Sequence, residues 1–167
     1  WSAGTSTGEE AYTLAILCED AGARSYEVVG TDLSSRAVLA ARQGRYLPKS
    51  FRGEIERSLR QRWFTYELTG VTVHPELKLH PRFEVKNLVD ARGLADLGAF
   101  DVIFCRNVLI YLSTSGRARV IESFYEHLRP GGLLFLGHSE SLFTLETRFR
   151  VNPLARVLVY QRPEVPG

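Results

Sequence analysis

The sequence lacks the features that mark membrane, secreted and metal-binding proteins. No apolar run approaches the ~20 residues needed to span a bilayer, and no signal peptide is expected. The 2 cysteines, Cys18 and Cys105, lie in apolar contexts and are predicted to be buried thiols that stay reduced in a cytosol. The 4 histidines are not clustered as metal ligands are. These absences predict a cytoplasmic chain without a metal and without direct membrane insertion.

An excess of charge is also lacking. The net charge of +2 is too small to indicate nucleic-acid binding by itself. The 167 residues fit a single domain, since domains have about 150 residues. With 44% hydrophobic residues, the chain can bury a real core.

The nucleotide-binding signatures are absent from the first segment, Trp1–Tyr12 (WSAGTSTGEEAY), a loop of small residues that runs into a helix. It matches neither G-x-x-x-x-G-K-[ST] nor G-x-G-x-x-G. Glu9 and Glu10 beside the loop would repel a polyphosphate but tolerate a cationic or ribose-bearing ligand. The loop therefore points away from ATP and NAD and toward a ligand such as S-adenosylmethionine, whose sulfonium is positive.

The same two glutamates have a purely structural interpretation. Ser6 with Glu9, and Thr7 with Glu10, both fit the S/T-x-x-E capping box that starts many helices. On this interpretation the carboxylates would serve the helix start alone, so both interpretations stay open from the loop itself.

Helical and strand patterns alternate along the chain. Strands separated by helices of this length imply βαβ units, a mostly parallel sheet and helices on both of its faces. In the first helix, Leu14, Leu17 and Cys18 are predicted to face inward. The predicted elements are a helix over 9–21, a strand over 26–31, a helix from Ser34 to Gly44, strands over 83–86 and 100–105, a helix from Ser113 or Thr114, a break at 129–132, a strand over 133–136 and a final edge strand over 156–160.

The stretch from about residue 45 to residue 82 interrupts this alternation. Its first part is rich in arginine and predicts a basic helix, either simply solvated or a docking surface for an acidic partner. Its second part alternates, with Val71 and Val73 followed by Leu77 and Leu79, and predicts a small antiparallel hairpin. We therefore expect one domain over 1–167 with an inserted helix and β-hairpin subdomain at about 45–82.

Polar residues follow the predicted strands at their carboxyl ends, where open α/β sheets bind ligands. Asp32 is placed to accept ribose hydroxyls, and Asn87 to contact an adenine edge. Arg106 and Asn107 follow the strand that ends at Cys105, and Tyr111 comes four residues later. Each residue alone could be a simple strand terminator, but their meeting at one edge would make a nucleoside site.

Four segments together resemble the CheR-type chemotaxis receptor methyltransferases, and the resemblance covers almost the whole chain. The segments are Trp1–Tyr12, Gly30–Asp32, Phe100–Tyr111 (FDVIFCRNVLIY) and Gly137–Glu140 (GHSE). The resemblance implies a Rossmann-like class I methyltransferase fold. It also implies an enzyme that transfers a methyl group from S-adenosyl-L-methionine to glutamate side chains of chemoreceptor cytoplasmic helices, or of a related signalling protein.

The resemblance assigns roles to individual residues. Glu9 and Glu10 would face the methionine end of the cofactor, with Glu10 favoured, and Asp32 would hold the ribose. Asn87 and Leu88 would line the adenine pocket. Arg106 and Asn107 would line the cofactor, and Tyr111 would face the transferred methyl group, so Tyr111 and Arg106 are the catalytic candidates.

The sequence departs from the family in three ways. The given sequence does not include the family's N-terminal helical domain or the first sheet strand apart from its last one or two residues, so we expect it to be part of a longer protein or a fold completed by another segment. The hairpin has only Gly70 where members that bind a receptor tail are glycine-richer, so we expect no tail binding. An alternative function is therefore a non-catalytic, cofactor-sensing or scaffolding module. In either case we expect a monomer.

Overall fold

The computed structural model describes residues 1–51, 57–154 and 157–164. The chain divides into two compact units. The N-terminal unit contains Ser2 and residues 4–85, and the C-terminal unit contains Trp1, Ala3 and residues 86–167. A two-residue strand, β1 (Ser2–Ala3), contributes one residue to each.

The N-terminal unit is an α/β arrangement with a small sheet added to it. Strands β2 (Val28–Asp32) and β6 (Pro81–Val85) pair in parallel, from Val28 opposite Pro81 to Asp32 opposite Val85. The predicted strand over 83–86 thus begins two residues earlier. The elements are α1 (Glu9–Asp20), β2 (Val28–Asp32), α2 (Ser35–Gln43), β3 (Arg45–Tyr46), a 3-10 turn (Pro48–Ser50), α3 (Arg57–Trp63), β4 (Phe64–Glu67), β5 (Gly70–Val73), α4 (Pro75–Lys78) and β6 (Pro81–Val85).

The helix α2 begins and ends where its capping residues predict. The Ser34 hydroxyl accepts a hydrogen bond from the Ala37 N–H at 3.2 Å, and Gly44 ends the helix with a left-handed φ of 56°. In α1 the predicted inward face is wrong at Leu17, whereas Leu14 packs against the core and Cys18 is half-buried. Leu17 is 56% exposed, whereas Ala11, Tyr12 and Ala15 are buried. These three residues lie in a cluster with Val38, Ala41, Tyr46, Trp63, Val73, Leu77 and Phe83, among others.

The predicted hairpin exists, but other strands form it. β4 pairs with β5 in an antiparallel register that sets Phe64 opposite Val73, and β3 lies on the other side of β5. Leu77 and Leu79 belong to or follow the short helix α4 instead of a strand. Pro75 at its first position explains the difference, since its fixed φ suits a helix start.

Three basic residues of this segment have partners within the N-terminal unit. Arg45 forms an ion pair with Glu67 at 2.8 Å. The guanidinium groups of Arg60 and Arg62 lie over the rings of Phe51 and Trp63, 5.9 and 4.5 Å from the centroids. Arg52 lies outside the described residues. These three cations therefore have partners within the N-terminal unit, and both interpretations of the basic segment stay open.

The C-terminal unit pairs strands of both directions. β7 (Phe100–Cys105) and β8 (Leu128–Leu136) are parallel. β10 (Val157–Gln161) is antiparallel to both β8 and β9 (Arg150–Leu154). Trp1 belongs to its core, with its ring against those of Phe100 and Phe124. The elements are α5 (Ala91–Leu94), β7 (Phe100–Cys105), a 3-10 turn (Leu109–Tyr111), α6 (Thr114–His127), β8 (Leu128–Leu136), β9 (Arg150–Leu154) and β10 (Val157–Gln161).

Two predictions for this unit hold and two are wrong. β7 has the predicted bounds, and Ser113 caps α6, accepting a hydrogen bond from the Gly116 N–H at 3.2 Å. The predicted break at 129–132 lies inside β8. The strand continues through it with a shift in its register against β7 and a positive φ of 81° at Gly131. The predicted edge strand, β10, has partners on both sides, because the unpredicted β9 covers it. The first predicted residue of that strand, Arg156, lies outside the described residues.

Candidate functional site

The loop before α1 is fixed by its backbone. The N–H groups of Gly4 and Thr5 both donate to the carbonyl of Thr31, at 2.8 Å each. Gly8 caps α1 in a left-handed conformation, with φ 93° and its N–H donating to the Thr5 carbonyl at 3.0 Å. A Cβ on Gly8 would lie 2.9 Å from the Ala41 Cβ, so only glycine fits without a shift. This loop is therefore held close to the carboxyl end of β2.

Asp32, the last residue of β2, also holds this loop. Its Oδ2 accepts the Ser6 N–H at 2.9 Å, and its Oδ1 accepts the Ser34 N–H at 2.9 Å. A carboxylate has about four lone-pair sites, so two further hydrogen bonds remain possible. A pair of ribose hydroxyls would match that capacity. The contact between Asp32 and the loop is not visible in the sequence.

The two acidic residues at the start of α1 do not form a capping box. No side chain caps this helix. The Thr7 hydroxyl donates to Glu9 at 2.6 Å, and the Ser2 hydroxyl donates to Glu10 at 2.8 Å. The capping interpretation of Ser6–Glu9 and Thr7–Glu10 is therefore wrong. Both carboxylates are half-buried and lie in the first turn of the helix, where a negative charge is favourable.

Asn87 and Leu88 follow β6 in a tight turn of the C-terminal unit. The Asn87 side-chain oxygen accepts the Val89 N–H at 3.1 Å, and its carbonyl accepts the Asp90 N–H at 3.0 Å. Lys86 binds the Asp96 carboxylate at 2.5 and 2.7 Å. Asn87 is exposed and Leu88 half-buried, so both are open to a ligand on a turn of defined shape.

Arg106, Asn107 and Tyr111 share the loop that follows β7. Arg106 and Asn107 are exposed, and Asn107 has a left-handed φ of 60°. Tyr111 ends a 3-10 turn with 82% of its surface exposed. The structure thus presents these three predicted residues on one short segment.

Glu140 fixes that segment. It belongs to the motif Gly137–Glu140, but no function is predicted for it from the sequence. Its side chain is 8% exposed and accepts four backbone N–H groups, and we call this arrangement the Glu140 clamp. The donors are Asn107 and Gly137 to Oε2, at 2.7 and 2.8 Å, and Val108 and Leu109 to Oε1, at 3.0 and 2.8 Å.

A second side chain supports the same loop from its other end. Arg117, on α6, donates from Nε to the carbonyls of Leu109 and Leu112, at 2.9 and 3.1 Å. The loop is therefore held through its N–H groups by a carboxylate and through its carbonyls by a guanidinium. Such a loop keeps Tyr111 exposed without leaving its backbone loose.

The described part of the chain has neither a cluster of metal ligands nor a helix that could span a membrane. Residues 1–51, 57–154 and 157–164 contain no group of three or more histidine, cysteine, aspartate or glutamate residues able to hold a metal ion. Across the same ranges, no helix has the length and apolar character that a bilayer crossing requires.

Solved structures define the class of the fold. An O-methyltransferase family protein from Burkholderia thailandensis matches 98% of this chain and 50% of its own, with a TM-score of 0.57 and 16% identity. Magnesium protoporphyrin IX methyltransferase from Synechocystis PCC 6803, solved with bound SAM, matches 96% of this chain and 68% of its own, with a TM-score of 0.55 and 16% identity. The chain has the mixed α/β, mostly parallel fold of the class I methyltransferases, as predicted.

Sequence comparison then gives the family. Residues 1–158 match the CheR methyltransferase, SAM binding domain. Chemotaxis protein methyltransferase 2 of Vibrio cholerae is 33% identical over 98% of this chain, and the Escherichia coli chemotaxis protein methyltransferase is 36% identical over 89%. A probable biofilm formation methyltransferase, WspC of Pseudomonas aeruginosa, is 37% identical over 81%. The chain belongs to the CheR methyltransferase family, and S-adenosyl-L-methionine is the cofactor of this domain.

The match covers only part of each relative. The chain spans 58% of the Vibrio cholerae protein, 54% of the Escherichia coli protein and 32% of WspC. The residues that are described fit the cofactor chemically. Asp32 has acceptor capacity for hydroxyls, and Glu9 and Glu10 place two carboxylates beside a glycine-containing loop, which suits a sulfonium.

Proposed function

We propose that this protein transfers methyl groups from S-adenosyl-L-methionine to glutamate carboxylates of chemoreceptor cytoplasmic helices, or of a related signalling protein, giving glutamate methyl esters. It would act in the cytoplasm as a monomer. Family membership supports the proposal, and one structural observation carries it. Tyr111 is 82% exposed on a loop held by the Glu140 clamp, and such an aromatic contributes little to the core.

The proposed cofactor contacts follow from the resemblance and from the chemistry of each side chain. Asp32 would accept the ribose hydroxyls, and Glu9 and Glu10 would lie toward the methionine end. Asn87 and Leu88 would contact the adenine, the first through its amide and the second through its apolar side chain. Arg106 and Asn107 would complete the lining of the cofactor site.

The reaction needs no general base, because a glutamate with a pKa of ~4.3 is already ionised at neutral pH. When bound, S-adenosyl-L-methionine supplies an electrophilic methyl group and leaves as S-adenosyl-L-homocysteine. The carboxylate oxygen forms the new bond to carbon, while the sulfur keeps the electron pair of the broken bond. The protein therefore contributes mainly positioning and partial desolvation of the carboxylate.

Arg106 and Tyr111 are suited to hold and aim that carboxylate. The Arg106 guanidinium would keep it ionised as water is displaced, and the Tyr111 hydroxyl would donate to the oxygen that does not attack. A hydroxyl at this place would orient the nucleophile without binding the cofactor. Tyr111→Phe should consequently reduce kcat far more than it reduces affinity for the cofactor product.

The test uses the natural full-length protein, with methyl transfer measured on receptor cytoplasmic fragments and S-adenosyl-L-homocysteine binding measured by calorimetry. The control is Tyr66→Phe, since Tyr66 is a 54% exposed tyrosine in β4. Equal losses of kcat and product affinity for Tyr111→Phe would contradict the aiming role. A folded protein that binds no S-adenosyl-L-homocysteine would contradict enzyme function and favour a scaffolding module.

The choice of receptor in that assay follows from the relatives. Two of those described are named chemotaxis methyltransferases, and one is named a probable biofilm formation methyltransferase. A receptor of each kind should therefore be tried. Methylation of either supports the proposed reaction, and methylation of neither by a folded, cofactor-binding protein contradicts it.

A further inference from the structure

The Glu140 carboxylate is a buried charge with an unusual set of partners. At 8% exposure it would be costly in the interior unless every lone pair found a donor. Its four N–H donors meet that need, and all of them come from the backbone. Because no cation is among these donors, the carboxylate serves the backbone geometry and not a surface ion pair.

The donors connect two strand ends. Three of them, Asn107 to Leu109, are consecutive and follow β7, whereas Gly137 follows β8 directly. A Cβ on Gly137 would lie 2.6 Å from Glu140 Oε2 and 3.0 Å from the Asn107 nitrogen. The close approach of loop and carboxylate therefore depends on glycine at this position. The clamp fixes the path of the chain between Cys105 and the 3-10 turn that carries Tyr111.

We propose that Glu140 is a positioning residue for methyl transfer, which acts by holding the loop 106–112 in the conformation that presents Tyr111. The proposal rests on the proposed function of Tyr111. Glu140 does not touch the reacting atoms in this scheme. It sets the backbone from which Tyr111 and Arg106 project, and errors of about 1 Å in such positioning cost roughly 10²-fold in rate.

The decisive variant is Glu140→Gln in the natural full-length protein. Glutamine has nearly the same volume. Its amide NH₂ group, however, would face two backbone N–H groups whose hydrogen bonds it cannot accept. We expect kcat to fall by roughly 10²-fold, as for a misplaced catalytic group. Hydrogen exchange should quicken at the amides of Asn107, Val108 and Leu109. Glu146→Gln, an exposed glutamate of the same unit, is the matched control and should change neither.

A double-mutant cycle with Tyr111→Phe separates positioning from general stability. If Glu140 acts through Tyr111, the Gln substitution should lower kcat much less in the Tyr111→Phe background than in the wild type. Additive losses, or unchanged exchange at 107–109, would overturn the proposal. If Tyr111→Phe alone leaves kcat unchanged, the role of Tyr111 fails first, and the exchange data still report whether the clamp exists.

Gly137→Ala replaces Glu140→Gln if the latter fails to fold. It leaves the carboxylate chemically intact and displaces it from its donors, because of the 2.6 Å approach to Oε2. The same loss of kcat and the same coupling to Tyr111→Phe are expected. Wild-type kcat together with wild-type exchange at 107–109 in this variant would overturn the proposal.

Discussion

Replacing Gly8 by alanine tests how the loop before α1 is held against its neighbours. Gly8 has a φ of 93°, and an alanine Cβ there would lie 2.9 Å from the Ala41 Cβ and 3.1 Å from the Ala41 Cα. The left-handed conformation costs a non-glycine residue ~1–2 kcal/mol. Overpacking against a backbone atom, which has little room to move, adds ~1–3 kcal/mol.

Gly22 offers a matched control, because it has the backbone conformation without the crowding. Its φ is 69°, and a Cβ would meet nothing within 4 Å. Alanine should therefore cost only the conformational ~1–2 kcal/mol there. The entropy that alanine removes from the unfolded chain, ~0.4–1 kcal/mol, applies to both variants and cancels between them. Gly8→Ala should thus be less stable than Gly22→Ala by ~1–3 kcal/mol, the overpacking cost alone.

The assay is urea unfolding of both variants, combined with calorimetric titration of S-adenosyl-L-homocysteine. Gly8→Ala should also weaken product binding, since it displaces the start of α1, which carries Glu9 and Glu10. Gly22→Ala, beyond the end of α1, should bind as the wild type does. Equal destabilisation by the two substitutions would refute the packing argument, whatever the binding data show.

Three further predictions concern the N-terminal unit. Asp32→Ala removes the acceptor of the Ser6 and Ser34 N–H groups and should weaken S-adenosyl-L-homocysteine binding at least ~10-fold in calorimetry. The reason is that a hydrogen bond to a charged group contributes ~1.5–3 kcal/mol. Asp20→Ala, at the exposed end of α1, is the control and should leave this binding unchanged. Burial raises the pKa of Tyr12 to about 12, above its ordinary value of 10.0, so folding favours the protonated form. The contribution of Tyr12 to the free energy of unfolding should be fully present below pH 10 and be lost between pH 10 and 12. Tyr12→Phe should therefore make the decline in stability over this range shallower in unfolding measurements. Gly30→Ala would place a Cβ 2.6 Å from the Phe83 ring and should lower the Tm, with partial recovery in Gly30→Ala/Phe83→Leu.

Local signals in the sequence predict those elements whose boundaries are set by neighbouring residues. Ser34 and Gly44 determine the ends of α2 through a side-chain cap and a left-handed φ, and both are visible in the sequence. The segment Phe100–Cys105, apolar except for Asp101, is long enough for a strand and gives β7 its bounds. In such segments the physical cause of the structure lies within a few residues of its effect.

The errors arise where distant contacts decide. Val71 and Val73 alternate with Thr72 as a strand does, but nothing local says that Phe64–Glu67 will be the partner instead of residues 77–79. Leu17 has helical spacing and still faces solvent, because the core contacts Ala11 and Ala15. Small residues on a helix permit close approach of neighbouring elements, and periodicity weighted by hydrophobicity undervalues them.

In the candidate site, too, local features could be predicted and distant contacts could not. Its residues could be proposed because they follow strands, and their roles remain predictions. What holds them could not be proposed, since Glu140 lies 33 residues from Asn107 and Asp32 lies 26 residues from Ser6. A contact between a side chain and a distant backbone N–H leaves no periodic signal. Only the motif Gly137–Glu140 suggested that the segment matters.

These two carboxylates have a common role. Within residues 1–51, 57–154 and 157–164, Ser6 and Asn107 are the non-glycine residues with positive φ, 52° and 60°. Each donates its own N–H to one of the carboxylates, Ser6 to Asp32 at 2.9 Å and Asn107 to Glu140 at 2.7 Å. The left-handed conformation costs ~1–2 kcal/mol, and a hydrogen bond to a charged group contributes ~1.5–3 kcal/mol, so the second term can offset the first. Each of the two units thus uses a carboxylate to hold a strained turn beside the predicted site residues. Because the strain is offset within the protein itself, a ligand that binds at either turn need not supply that energy.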